Sequence, residues 1–106
     1  MADKLNIHDL SIIGITYNKI KNDLIFNIDD NSMLIFHDIF HWDLTPFETQ
    51  NIIFEISIYK KIPKLLIDDY GLQKGMPIDF NLYHINSSTG LSGVIISKKL
   101  EIIRNK

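Results

Sequence analysis

The stretch "NIIFEISIYK", residues 51–60, decides the fold class. Read with a period of two, Ile52, Phe54, Ile56 and Ile58 share one side, and Ile53, Glu55, Ser57 and Tyr59 share the other. Read with a helical period, apolar groups fall on every side. The β-branched isoleucines would also lose χ1 freedom against the preceding helical turn. A strand is therefore the expected state.

The same alternation extends outward in both directions. In "DLIFNID" (23–29), Leu24, Phe26 and Ile28 fall together, opposite Ile25, Asn27 and Asp29. In 33–42, Leu34, Phe36, Phe40 and Trp42 form one face, broken by Asp38. Met33, Ile35, His37, Ile39 and His41 form the other face. "IDFNLYH" (78–84) groups Ile78, Phe80 and Leu82, with His84 continuing that face. "GVIISKKLEII" (93–103) groups Val94, Ile96, Leu100 and Ile102, interrupted by Lys98. A first strand within 7–18 changes phase at Ile12-Ile13, and the Gly14 that follows predicts a bulge. The polar segment 85–93 reads as a hairpin loop.

Two places favour helix. Thr45, Pro46 and Glu48 in "LTPFETQ" (44–50) predict one short capped turn. "PKLLIDDYGL" (63–72) reads as two helical turns ending at Gly71 or as an edge strand, with helix preferred. The short connections 18–22 and 29–32 favour hairpins over crossovers. The expected fold is one domain, 1–106, mainly β with α+β as the variant. It has about six mostly antiparallel strands in a curled sheet, sandwich or partly open barrel, with one or two short helices.

Composition narrows the function. The 106 residues carry a formal charge of −2, 45% hydrophobic and 23% charged residues, and no cysteine. Disulfides, thiolate metal sites and cysteine nucleophiles are thereby removed. The only basic clusters are short pairs such as Lys60-Lys61 and Lys98-Lys99, so no nucleic-acid partner is expected. No stretch approaches the ~20 apolar residues of a membrane span. "MADKLNIHDL" has no apolar run, and a cytoplasmic location is expected.

Motif chemistry is sparse. His37 and His41 are four apart, a zinc spacing on a helix, but in a strand that spacing is roughly 13 Å. The segment 35–44 therefore reads as architecture, and no metal, cofactor or catalytic residue is expected. His8-Asp9 point to opposite faces in a strand and read as a turn cap. "NSSTG" (86–90) lacks the lysine and glycines of a phosphate loop. "DDNS" (29–32) lacks the register of a calcium loop. Ser92 sits at the wrong spacing from Gly90 and Gly93 for a nucleophile elbow. Five acids, Asp29, Asp30, Glu48, Asp68 and Asp69, are the candidate partner-binding residues. With Asp23 and Asp79 they would form an acidic rim that attracts a basic partner.

The order "IHDL", "IIGITYN", "DLIFNID", "LIFHDIFHWDL" and a closing "FNLYHINSSTGLSGVIISKKLEIIR" resembles a group of small, mainly β bacterial proteins. Some of these are immunity proteins of polymorphic toxin or contact-dependent inhibition systems. The resemblance implies a non-catalytic protein that neutralises a cognate toxin by occluding its active site, over an interface of roughly 1,600 Å². Two other readings compete with it. One is a small histidine-dependent nuclease, which needs two of His8, His37, His41 and His84 to converge. The other is a structural module, monomeric or dimerising through a strand edge.

Overall fold

The structure is a computed structural model that describes residues 3–5, 9–72 and 75–104. Its elements are β1 (Asp3–Leu5), β2 (Leu10–Asn18), β3 (Asp23–Ile28), β4 (Met33–Thr45), β5 (Ile52–Tyr59), α1 (Lys64–Tyr70), β6 (Asn81–Thr89) and β7 (Ser92–Ile103). All strand pairings are antiparallel. Neighbours run β5, β2, β3, β4, β7, β6 and back to β5, so one sheet curls until its ends meet. The two seams differ in strength. β5 pairs with β6 from Ile52 to Tyr59, but with β2 only at Ile52 and Ile53.

The hairpins form where the sequence has asparagines and aspartates that accept left-handed backbone. Asn22 and Asn31 have φ of 58° and 69°. The Asn18 carboxamide oxygen accepts from the N–H groups of Ile20 and Lys21. Gly14 marks the expected irregularity, a register shift between Ile12 and Gly14.

The inner face of the curled sheet holds the main core. Leu24, Phe26 and Ile28 of β3 are all buried, as their alternation requires. They meet Leu34, Phe36, Ile53, Ile56, Tyr83, Ile85 and Ile95. Phe36 stands edge-on to both Phe26, at 5.2 Å, and Tyr83, at 5.3 Å. Each such pair adds about 0.5–1.5 kcal/mol beyond area burial. Leu66 and Leu72 from α1 and its exit cover Leu82, Val94 and Ile96 on the outer face. The helix begins after Pro63 and ends at Gly71, whose φ is 62°. The sequence pattern over 63–72 is thus realised as one short helix.

Several expected phases are corrected. The alternation in β5 breaks at Phe54, where the register with β6 shifts. Ile53 and Ile56 are buried and Phe54 is half-exposed. The face expected across 93–103 also divides: Val94 and Ile96 lie under α1, while Leu100 and Ile102 pack on the inner core. Ile78 precedes β6 and is exposed rather than sharing a strand face with Leu82. The expected loop 85–93 is mostly strand, because residues 87–89 stay paired to β5 after leaving β7. Only Gly90 and Leu91 separate β6 from β7.

The helical turn expected over 44–50 does not form. The buried Asn51 side chain organises this segment instead. Its Oδ1 accepts from the N–H of Glu48, its Nδ2 donates to the Glu48 carbonyl, and Oδ1 also accepts from Leu91 N–H. An asparagine that satisfies local backbone groups removes the helix's advantage.

Candidate functional site

The site is built by the way β4 turns. Asp38 would fall in the core if the alternation after Phe36 continued. Instead Asp38 adopts φ 56°, a conformation that aspartate tolerates better than most residues. A register shift follows between Ile39 and His41. The bend is held by Asn22, whose carbonyl accepts the Ile39 N–H and whose Nδ2 donates to the Ile39 carbonyl. Ile39 then packs on the core. The expected face of Leu34, Phe36, Phe40 and Trp42 is therefore broken: Phe40 and Trp42 are 49% and 40% exposed. Trp42 rests on Tyr17 at 5.1 Å, and Phe40 on Phe80 at 6.2 Å.

Beyond the bend, His41 and Asp43 pair in register with Ile96 and Val94, the residues covered by α1 and its exit. A cavity of about 380 Å³ opens there, lined by Phe40, His41, Asp43, Tyr70, Gly71, Leu72 and Ile96. Burial raises the Tyr70 hydroxyl above its ordinary pKa, and the charges of Asp43 and Asp69 add to the effect. A second cavity, of about 320 Å³, lies against Ile67 and Leu72 and is lined by Lys60, Lys61, Ile62, Gly75 and Met76 as well.

The described histidines occupy three separate places. His37 lies between two carboxylates, with Nδ1 3.1 Å from Asp23 and Nε2 2.8 Å from Glu101. A protonated ring can donate to both, a neutral ring to one. The arrangement ties β3, β4 and β7 together across the outer face. His41 borders the first cavity. His84 stands edge-on to Tyr70 at 6.3 Å. Among the described residues no hydrogen bond joins two histidines, and no group of three His, Cys, Asp or Glu is placed to hold a metal ion. His8 lies outside the described residues, while Asp9 has φ 57° and donates its N–H to the Ile53 carbonyl.

Burial holds His84 below the usual histidine pKa, against the opposing pull of Asp69 and Glu55. The unfolded chain therefore binds this proton more readily than the native state. Stability falls as pH drops through the ordinary histidine range, near 6.5, toward the depressed native value. Urea midpoints at pH 7.5 and 5.5 are expected to show this loss, and His84→Gln to flatten it. An unchanged slope in the variant would remove His84 as its source.

The five acids divide between two regions. Asp29 donates its N–H to the Ser11 carbonyl, and Ser11 pairs with Ile52. Glu48 is bound to Asn51. These two acids lie toward the β2–β5 seam, with Asp30 in the adjoining turn. Ser32 hydrogen bonds hold the Asp30 carboxyl below its usual pKa. Asp68 and Asp69 are exposed on α1. Sequence reasoning missed Asp43 and Tyr70, which border the first cavity. The available signal was Asp38 within an apolar run, marking where β4 had to bend.

No helix among the described residues is long and apolar enough to cross a membrane. No protein-family model matches the chain, and comparison with curated proteins and with solved structures found no significant match.

Proposed function

We propose that this chain is a non-catalytic binding protein that neutralises a cognate bacterial toxin by covering its active site. The observation that carries this reading is the second half of β4. There Phe40 and Trp42 stand half-exposed beside Asp43, close to the end of α1, whose last turn carries Asp68 and Asp69. Half-buried aromatic anchors beside charges are what tight protein interfaces use. Residues 41–45 are paired to β7 alone among the described strands, so a partner can approach this edge. A basic toxin site would be drawn in by the acids, with a rate that falls as salt rises.

The test is co-expression with the product of the adjacent gene. Expressed alone, that product should arrest growth. With this chain present, growth should recover and the two should purify as a one-to-one complex. A neighbour that is harmless, or whose toxicity this chain leaves untouched, overturns the reading.

A further inference from the structure

Resting on that reading, we infer that the cavity between β4, β7 and the end of α1 seats one arginine side chain of the bound protein. Its size, about 380 Å³, is at the lower end of small-ligand pockets. That is room for one long side chain. Its walls supply the three things a guanidinium uses. Phe40 and Tyr70 offer ring faces and edges, Leu72 and Ile96 offer apolar surface for the methylene stem, and Asp43 offers a carboxylate.

The charge pattern gives the pocket its sign. Asp43 is half-buried and has neither an ion pair nor a hydrogen bond among the described residues. Among the described residues no lysine or arginine lines the cavity, and the basic side chain on its wall is the His41 imidazole. The nearby lysines Lys60 and Lys61 border the other cavity instead. Asp69 adds a second negative charge near Tyr70. A half-buried carboxylate beside an aromatic wall, with no cation paired to it among the described residues, selects a cation brought by the partner.

Arginine fits better than lysine. Its planar guanidinium stacks on rings, pairs with a carboxylate through two parallel N–H bonds, and is more weakly hydrated than an ammonium. Two of the pocket's rings already have packing partners. Tyr70 is braced by His84 and Phe40 by Phe80, both edge-to-face. Little order would therefore have to be created on binding.

The experiment is a titration of the intact chain, without any toxin, followed by amide NMR. N-acetyl-arginine amide should give saturable shifts centred on Asp43, Gly71 and Leu72, with a Kd on the order of millimolar. N-acetyl-leucine amide and N-acetyl-lysine amide should bind at least about tenfold more weakly. Asp43→Asn should weaken the arginine probe about tenfold or more while leaving the remaining spectrum in place. Equal binding of the leucine or lysine probe, no saturable shift with arginine, or indifference to D43N overturns the inference. Growth rescue that persists without arginine binding condemns this pocket and spares toxin neutralisation. Arginine binding without rescue does the reverse.

Discussion

Gly93→Ala is expected to cost about 3 kcal/mol or more, enough to remove much of the stability of a domain this size. A Cβ at Gly93 would lie 1.9 Å from the Asp43 carbonyl oxygen and 3.0 Å from Leu44 Cα, and the residue's φ is 146°. Neither neighbour is the end of a flexible side chain. Both are backbone of β4, and Gly93 also pairs with Ile85 of β6 on its other side. The strand cannot shift without giving up its ladder bonds. Gly14→Ala is the control, since its Cβ would meet Asn27 at an ordinary 3.5 Å and should be tolerated. Urea unfolding followed by circular dichroism reads both. A Gly93→Ala protein as stable as the parent would show that β4 and β7 do not meet in this register at 43–45.

Phe36→Ala should cost about 3–5 kcal/mol. Phe36 is fully buried and is the ring that touches both Phe26 and Tyr83. Phe26 and Phe36 lie on β3 and the first half of β4, and Tyr83 on β6, so this one ring joins opposite parts of the curled sheet. Its removal leaves a cavity bounded by strands that are hydrogen-bonded to their neighbours and cannot collapse into it. Phe36→Leu keeps much of the volume and should lose far less. Differential scanning calorimetry distinguishes the two. A loss under about 1 kcal/mol for Phe36→Ala would mean that the inner faces of β3, β4 and β6 do not form one packed core.

Much of the scaffold could be read from residue order because alternation reports burial directly wherever a strand is regular. Leu24, Phe26 and Ile28 are an unbroken example, whereas Pro63 and Gly71 bracket a segment that residue order left open between helix and edge strand. Alternation fails at breaks in the strand. Phe54 and Asp38 each reset the phase, and the reset follows from pairings with strands remote in sequence. The cavity was illegible for the same reason. Phe40, Tyr70 and Ile96 share no local pattern and meet only after β4, α1 and β7 are assembled. The acids could be found as residues, but their division between the β2–β5 seam and α1 depends on that assembly.

The longest pairing in the molecule joins Met33 to Ile103 and Thr45 to Ser92. During synthesis, β4 therefore emerges with Phe36, Phe40 and Trp42 well before the strand that pairs along its length exists. Loop closure over such separations must precede the contacts that reward it, which places folding in the slow, milliseconds-to-seconds class of non-local β topologies. Through that interval β3 can pair with the first half of β4, while Phe40 and Trp42 lie on the half that still awaits β7, the kind of transiently exposed apolar edge that invites association.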